Sequence, residues 1–367
     1  MAEAIAPEIV PEYAAVREEE AFDLARVQAY LVGKLEGAYA PLSVQQFRGG
    51  HSNLTYLLRF GDREWVLRRP PFPPIPPGAH DMAREYRVLS RLWRVFQPAP
   101  RAMLFCDDAA IVGAPFFIME RRRGIVIRMR QPLPLELPTD VKTLQRVSES
   151  FIDTLGDLHT VDFEAIGLVN LGNPSGFVRR QIVGWMDRWE RSKTREVPLM
   201  NKLGAWLLDN MPAPQPPALL HNDFFLHNVM LGADDPGRVV GVFDWEMSTL
   251  GDPMIDLGTA IAYWRENSDP SELLAETGQG HVPTLTPGFL SRAQLIQRYA
   301  KRTGRDVSKV AFYWAWAHWK TATVVEQLYA RYVKGGTTDP RFATMGGQAP
   351  ALASAAAIVA TQLGFKS

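Results

Sequence analysis

The chain has 367 residues, of which 46% are hydrophobic and 22% charged, as in an ordinary globular protein with a sizeable core. Forty basic residues balance forty acidic ones, so neither nucleic acid nor an anionic membrane is expected as a partner. A single cysteine, Cys106, excludes an internal disulfide, and the N-terminus lacks a basic segment followed by an apolar run, which leads us to expect a cytoplasmic protein.

The first third of the chain predicts one helix followed by a small sheet. Residues 1–20 are rich in Ala, Pro and Glu and are expected to be loosely ordered until they dock on the rest of the protein. Asp23 can cap a helix that ends near Gly37. Short apolar runs then predict strands, the last two joined by a tight turn: residues 44–47, 54–60 and 64–67.

A glycine-containing loop lies between the first two predicted strands. It reads Gly49, Gly50, His51, Ser52 and Asn53. Glycine lets the backbone approach a ligand closely, and Ser and Asn add small hydrogen-bonding groups. This pattern fits a loop that covers nucleotide phosphates, although a Gly-Gly pair on its own is also typical of a plain turn. No chemical role is expected for His51.

Two arginines, Arg68 and Arg69, follow the third strand and point to opposite faces because strand residues alternate. A proline-rich segment comes next, and residues 80–96 then predict a helix with Glu85 in its first half. Glu85 can pair with Arg68, or it can belong to a charged helix face without a partner. Residues 114–120 predict a further strand, which runs into an arginine-rich segment that begins at Arg121. Such a segment is typical of a solvated edge, and the alternative is that it meets an anionic acceptor.

The rest of the chain reads as mostly helical, with one interruption by strands. The predicted helices are residues 139–158, 175–193, 199–211, 256–264, 291–303, 308–333 and 350–363. His159 is expected to be a buried histidine with satisfied hydrogen bonds, and Asp256 to support a neighbouring loop. The aromatic residues at 313–319 are expected to be helical core.

The interruption is a predicted β-hairpin with polar residues at its ends. Two apolar runs, residues 229–231 and 239–243, flank an Asp-Asp-Pro-Gly turn. Asp223 and Asn228 precede the first strand, and Asp244 follows the second. Because a hairpin fixes the distance between its ends, these three side chains can converge.

The spacing of these residues predicts phosphoryl transfer. His-x-Asp-x-x-x-x-Asn, from His221 to Asn228, followed by a separate Asp, is typical of a kinase catalytic loop with its metal ligands. In this interpretation Asp223 orients or deprotonates the acceptor hydroxyl. Asn228 and Asp244 offer the oxygen ligands that Mg²⁺ prefers. The alternative is a hairpin with capping Asp and Asn residues, which are common in loops.

The chain resembles the aminoglycoside phosphotransferase (APH)/choline-kinase-like family, and in particular the APH-type kinase domain of acyl-CoA dehydrogenase family members 10 and 11. The likeness is carried, in family order, by residues 49–56, 66–71, 84–86, 117–120, 221–228, 244–246, 251–253 and 256–257.

This resemblance implies an α+β, protein-kinase-like bilobal fold: an N-lobe with a small β-sheet over residues 1–120, and a mostly helical C-lobe with the acceptor pocket over residues 121–367. It implies ATP (or GTP) and Mg²⁺ as cofactors. The nucleotide would be bound by residues of the first lobe: Gly49, Gly50, Ser52, Asn53, Arg68, Glu85, and the hinge backbone at Met119, Glu120 and Arg121. Arg68 departs from the family pattern, which usually carries lysine, but guanidinium can still bind phosphate in a bidentate manner.

The expected function is transfer of the γ-phosphate of ATP or GTP to a hydroxyl of a small molecule, with a hydroxyacyl-CoA implied by the resemblance. A macrolide-type antibiotic phosphotransferase is one alternative. A nucleotide-binding pseudokinase without transfer activity is the other, favoured by the missing lysine and opposed by the intact Asp223, Asn228 and Asp244. The oligomeric state is not readable from the sequence.

Overall fold

The computed structural model describes residues 12–48, 53–71, 80–275, 281–337 and 340–366. The chain separates into two compact units, residues 1–122 and 123–367, each held by its own internal contacts. The first unit is built on an antiparallel sheet, and the second is mostly helical.

The first unit contains most of the strands of the protein. Its elements are β1 (Tyr13–Ala14), α1 (Leu24–Leu31), β2 (Leu42–Phe47), β3 (Leu54–Phe60), β4 (Arg63–Arg69), α2 (Met82–Leu92), β5 (Ala102–Cys106), α3 (Ala109–Val112) and β6 (Phe116–Glu120). The six strands form one sheet in the order β1-β2-β3-β4-β6-β5, and every neighbouring pair is antiparallel. The predicted strands therefore exist, and β1 and β5 add two that the sequence patterns did not indicate.

The helix α1 begins where its predicted cap places it and ends earlier than expected. The Asp23 side chain accepts from the backbone N–H of Arg26 at 3.1 Å, which starts α1 as predicted. The helix ends at Leu31 rather than near Gly37 because the chain turns at Gly33, which has a φ of 76°. Leu35 follows this turn, is 5% exposed and packs into the core. The apolar spacing in the sequence therefore extends beyond the end of the helix.

The described part of the N-terminal segment is docked on the sheet, which is the state in which the sequence analysis expects it to be ordered. β1 pairs with β2, and a 3₁₀ turn follows at Glu18–Glu20. The hydroxyl of buried Tyr56 donates to the backbone carbonyl of Glu20 at 2.9 Å. A two-residue strand and one helical turn carry too little periodicity to be read from sequence, and these contacts to the sheet hold them in place.

The second unit begins with a short strand and is otherwise helical apart from small sheets. Its elements are β7 (Ile125–Val126), α4 (Val141–His159), α5 (Phe177–Ser192), α6 (Pro198–Asp209), β8 (Ala218–Leu220), β9 (Val229–Leu231), β10 (Val239–Val242), β11 (Thr249–Gly251), α7 (Met254–Ala262), α8 (Ser271–Ala275), α9 (Arg292–Thr303), α10 (Val310–Val333), α11 (Pro340–Ala343) and α12 (Gln348–Thr361). The predicted hairpin is confirmed, because β9 and β10 pair antiparallel, with β7 on the other side of β9.

The long helix α10 forms the centre of the second unit. It packs against α5, α7 and α12, while α4 packs against α9. Trp316 and Trp319 of α10 are each 1% exposed and Tyr313 is buried beside them, which confirms the prediction of helical core. Trp314 is half-buried and lies beneath the guanidinium of Arg292, 4.3 Å from its ring centroid.

Residues Arg341–Thr361 form a helical stretch that is long and apolar enough to cross a membrane by length and composition alone. Half of the apolar part of this stretch is buried inside the unit. Its α12 part packs against α10. The core helix of a globular protein meets the same criterion of length and apolar composition.

Candidate active site

Two small sheets of the second unit fix the loop that carries the catalytic motif. The loop leaves β8, which pairs with β11, and enters β9, which pairs with β10. The backbone N–H of Phe243 also donates to the carbonyl of Asn228 at 2.9 Å. The end of β10, where Asp244 follows, is therefore tied directly to the end of the loop.

Asp223 and Asn228 lie in direct contact. The side-chain amide nitrogen of Asn228 donates to the Asp223 carboxylate at 3.2 Å and to the Asp223 backbone carbonyl at 2.9 Å. Asn228 is 6% exposed, so its amide is held in one orientation. Since the amide nitrogen is used in these bonds, a metal-binding role for Asn228 would fall to its side-chain oxygen.

Two residues of the site adopt left-handed backbone conformations. Asn222 has a φ of 65° and Asp244 a φ of 69°. Asn and Asp tolerate this region better than other non-glycine residues, and such conformations persist where the surroundings fix them. They set the directions in which Asp223 and the Asp244 side chain leave the backbone.

The environment of Asp223 raises its affinity for a proton. Burial raises the pKa of Asp223 to about 7, and the negative charges of Asp244 and Glu246 act in the same direction. The charge of Lys320 and the hydrogen bond from Asn228 oppose this shift. A carboxylate that binds a proton near neutral pH is suited to accept one from a hydroxyl group.

Asp256 and two histidines, His159 and His221, support the catalytic loop. The Asp256 carboxylate accepts from the backbone N–H groups of His221 and Asn222, both at 2.7 Å, which confirms the predicted supporting role. The same carboxylate also contacts Nε2 of His159 at 3.2 Å, while Nδ1 of that ring contacts the hydroxyl of Tyr299 at 2.7 Å. His159 is thus the satisfied buried histidine that the sequence predicted.

His221 joins the loop to β10. Its Nε2 donates to the carbonyl of Phe243 at 2.8 Å, and its Nδ1 accepts from the backbone N–H of Asp223 at 3.3 Å. Burial lowers the pKa of His221, which keeps the ring neutral, as this pair of bonds requires. His221, the first residue of the motif, therefore positions the loop.

Lys320 of α10 is a member of the site that the sequence analysis missed. Its ammonium donates to the carbonyl of Asn222 at 3.2 Å. The motif gave no indication of it, because almost a hundred positions separate the two residues. One sign was available: a lysine that directly follows the tryptophan-rich stretch of a core helix is rarely placed there without a partner.

In the first unit, the predicted pair of Arg68 and Glu85 is confirmed. Nε of Arg68 lies 2.9 Å from the Glu85 carboxylate, and the two side chains are 12% and 2% exposed. Arg69 points to the other face of β4, is 1% exposed, and its guanidinium donates to the carbonyl of Val112. Of the two arginines, Arg68 therefore lies on the face of β4 that carries Glu85, and Arg69 lies on the opposite face, as strand alternation predicts.

The other predicted nucleotide-binding residues have differing outcomes. Gly49, Gly50 and Ser52 lie outside the described residues. Asn53 is 5% exposed, and its side-chain oxygen lies 2.9 Å from Nδ1 of His80.

The predicted hinge lies at the end of β6. Met119 is paired there with both β4 and β5. The backbone N–H of Glu120 donates to the carbonyl of Arg101 at 3.0 Å, so this donor is already used within the unit. The Arg121 side chain is 6% exposed and pairs with Glu12 at 2.7 Å, so the expectation of a solvated edge is wrong for Arg121.

Among the described residues, no group of three or more His, Cys, Asp or Glu side chains could hold a metal ion on its own. Asp244 and the Asn228 amide oxygen form a smaller donor set. Mg²⁺ is commonly bound by one or two protein oxygens together with substrate phosphates and waters. The donor set therefore fits Mg²⁺ that arrives with a nucleotide.

Known proteins resemble this chain along most of its length. Acyl-CoA dehydrogenase family member 11 of Gallus gallus is 31% identical over 342 residues, which are 90% of this chain and 42% of that protein. Acyl-CoA dehydrogenase family member 10 of Mus musculus is 30% identical over 361 residues, 97% of this chain and 33% of that protein. The chain thus spans less than half the length of these relatives.

Solved structures share the fold. A candidate aminoglycoside phosphotransferase from Ralstonia eutropha has a TM-score of 0.78 and 29% identity, covering 93% of this chain and 99% of its own. A macrolide 2'-phosphotransferase type I has a TM-score of 0.58 at 20% identity, over 91% of this chain and 98% of its own, which shows the fold alone. The sequence model of the phosphotransferase enzyme family, APH, matches residues 43–289, from β2 through the catalytic loop and α7. The chain belongs to this APH phosphotransferase family and has its kinase-like fold.

Proposed function

We propose that this protein transfers the γ-phosphoryl group of ATP to a hydroxyl of a small molecule, with GTP as the alternative donor. The contact between Asp223 and Asn228, beside Asp244, carries the proposal. Phosphoryl transfer requires a hydroxyl to be oriented and charge to be stabilised, with little covalent help from the protein. These residues supply a proton acceptor and oxygen ligands at one place.

In the proposed reaction, the acceptor hydroxyl attacks the γ-phosphorus, and the bond from that phosphorus to the bridging oxygen breaks, releasing ADP. Asp223 accepts the hydroxyl proton, which its raised pKa favours. Asp244 and the Asn228 amide oxygen would hold Mg²⁺, which when bound neutralises phosphate charge. Arg68, steadied by Glu85, would bind the phosphates through its guanidinium.

A solved neighbour of the same fold supports a nucleoside triphosphate as donor. A thermostable mutant of the aminoglycoside phosphotransferase APH(4)-Ia is known in a ternary complex with AMP-PNP and hygromycin B. At 16% identity this likeness extends to the fold and not to the acceptor. The intact Asp223, Asn228 and Asp244 favour transfer activity over a pseudokinase that only binds nucleotide.

For the acceptor we propose a hydroxyacyl-CoA. The support is the likeness to acyl-CoA dehydrogenase family members 10 and 11, which extends over 90% and more of this chain. The likeness to a macrolide phosphotransferase is weaker, at 20% identity. Positive charge near the site also disfavours cationic aminoglycosides: Lys320 acts on Asp223, and Arg188 and Lys320 both lie close to the ring of Trp185.

The test measures acceptor-dependent ADP release with a panel of hydroxyacyl-CoAs, macrolides and aminoglycosides. Asp223→Asn is the matched control, and it should lose about a hundredfold to ten-thousandfold in kcat, the range for removal of a general base. Its fold and ATP affinity should be retained. Release by Asp223→Asn within about tenfold of the wild-type rate would contradict the assignment of the base.

Asp244→Ala separates transfer from simple nucleotide binding. It removes a carboxylate ligand, so calorimetry with ATP should lose most of its dependence on Mg²⁺. ATP binding by the wild-type protein without any acceptor-dependent release would favour the pseudokinase.

A further inference from the structure

Lys320 is a charged residue in the apolar centre of the second unit. It is half-buried on α10, directly after Trp319, which is 1% exposed. Its ammonium lies 5.6 Å from the ring centroid of Trp185 and 5.7 Å from that of Trp316. A lysine in such a position loses hydration, and this cost must be offset by specific partners. The carboxylate partners of Lys320 are Asp223 of the catalytic loop and Asp256, which supports that loop.

The first partner is the backbone carbonyl of Asn222, which accepts from the Lys320 ammonium at 3.2 Å. Asn222 is held by two further bonds: its N–H donates to Asp256 at 2.7 Å, and its side-chain amide donates to the carbonyl of Met247 at 2.8 Å. Its φ of 65° determines where the next residue, Asp223, begins. Lys320 thus completes the fixation of the peptide that precedes the catalytic carboxylate.

The second partner is the charge of Asp223 itself. Lys320 is the positive charge that acts most strongly on this carboxylate, while Asp244 and Glu246 repel it. A cation next to this group of carboxylates offsets part of their mutual repulsion. Lys320 of α10, which lies outside the motif, supplies that cation. Among the described contacts of Asp223, no residue of the loop supplies a positive charge.

We propose that Lys320 is a positioning residue for phosphoryl transfer, which fixes the Asn222 carbonyl and offsets the charge around Asp223 so that the carboxylate meets the acceptor hydroxyl in one geometry. This inference rests on the proposed function. It assigns part of the catalytic arrangement to α10, a helix outside residues 43–289 that match the family.

The test compares Lys320→Met, which loses the charge and the donor, with Lys320→Arg, which keeps both. For Lys320→Met we expect kcat to fall by about ten- to a hundredfold while KM for ATP stays within about threefold, because the lost interaction acts on the transition state. Lys320→Arg should restore most of the rate. The matched control is Lys309→Met, which removes an exposed lysine at the N-terminal end of the same helix and should leave the rate unchanged.

Hydrogen exchange provides a readout that does not depend on activity. In Lys320→Met, exchange should rise in peptides from residues 219–231 and stay unchanged along α5 and the rest of α10; in Lys320→Arg it should match the wild type. Lys320→Gln, which keeps a donor without charge, replaces the Met variant if that protein does not fold, and should be slower than Lys320→Arg.

Two results would overturn the proposal: a kcat for Lys320→Met within about threefold of wild type, or equal losses in the Met and Arg variants with exchange raised throughout α10. If the wild-type protein transfers phosphate to no acceptor, the proposed function fails instead. The exchange of residues 219–231 then still decides whether Lys320 fixes the loop.

Discussion

The protonation of Asp223 should control the pH at which transfer begins. Its carboxylate has a pKa raised to about 7 by burial and by the neighbouring carboxylates. As a proton acceptor it works only when ionised, so kcat/KM should rise with pH, with an inflection near that value. Rates measured from about pH 5.5 to about pH 8.5 test this, with Asp223→Asn as a variant whose residual rate should not follow the same curve. A wild-type profile that is flat over this range would contradict the prediction.

Arg68 and Glu85 should act as one unit in phosphate binding. Their 2.9 Å contact is almost fully enclosed, so removal of either side chain leaves the other misplaced. Each single alanine variant should lose about 1–3 kcal/mol of transition-state stabilisation, and the double variant little more, because partners in one network are not additive. Arg68→Lys should keep part of the activity, since a point charge attracts phosphate but loses the bidentate geometry. The measurement is a double-mutant cycle on kcat/KM.

The control for this cycle follows from the positions of the neighbouring arginines. Arg69 is buried and bonded to the carbonyl of Val112, so Arg69→Ala would lower stability and is unsuitable. Arg87 is exposed on α2, the helix that carries Glu85, and Arg87→Ala should be silent. Additive losses at Arg68 and Glu85, or an equal loss at Arg87, would refute the coupling.

At the scale of elements, the close packing of α7 on α10 should matter for both stability and activity. A Cβ added at Gly258 of α7 would lie 2.6 Å from the backbone carbonyl of Tyr313, which cannot move aside as a side chain could. Gly258→Ala should therefore cost about 1–3 kcal/mol in the free energy of unfolding. It should also lower kcat, because α7 carries Asp256 and hence the support of the loop.

Gly184 of α5 is the matched control. A Cβ there meets nothing within 4 Å, so Gly184→Ala should gain about 0.5–1 kcal/mol from helix propensity. Denaturant unfolding of both variants gives the comparison. The same sign of change in both would show that α7 can shift away from α10 at little cost.

Sequence patterns predicted those elements whose signals are local. The hairpin of β9 and β10, the cap at Asp23, and the core face of α10 all follow from neighbouring residues. β8 and β11 are as short as β9, but no turn joins them into a hairpin, and they were missed because their partner strand lies far along the chain. Tertiary pairing decides such strands, so no periodicity could have indicated them.

For the candidate site, the sequence likewise predicted the residues that lie close together along the chain. Asp223, Asn228 and Asp244 lie on one loop and one hairpin, so their spacing was informative. Lys320 reaches the loop from a separate helix, and Tyr299 reaches His159 in the same way. Contacts of this kind depend on how helices pack, which one sequence does not reveal. The pairing of Arg68 with Glu85 was the exception, and the resemblance to the kinase pattern supplied it.

At the scale of the whole molecule, the two units carry different parts of the proposed reaction. Arg68 and Glu85 belong to the first unit, and the second contains the loop with Asp223, Asn228 and Asp244. The Arg68–Glu85 contact and the Asp223–Asn228 contact each lie within one unit. Variants at Arg68 should therefore leave the exchange protection of the catalytic loop intact, and variants at Lys320 should leave the Arg68–Glu85 pair intact.

Buried ionisable groups should make the stability of the second unit depend on pH. Burial lowers the pKa of His159, His221 and His318 below the ordinary 6.5, and at His318 the charges of Arg265 and Arg292 add to this. The unfolded chain therefore binds protons at these rings more readily than the folded one. The stability they contribute is fully present above about pH 6.5 and is lost as the pH falls below it.

Asp223 acts in the opposite direction. Because its pKa is raised from 3.8 to about 7, the folded chain holds a proton that the unfolded chain releases, and stability is gained as the pH falls from about 7 toward 4. On acidification from about pH 8 to about pH 5.5, the Tm of Asp223→Asn should fall more steeply than that of the wild type, and the Tm of His318→Gln less steeply. Thermal unfolding of the three proteins across this range provides the measurement. Parallel curves would mean that these groups titrate alike in the folded and unfolded chains, and the burial argument for Asp223 would then be lost as well.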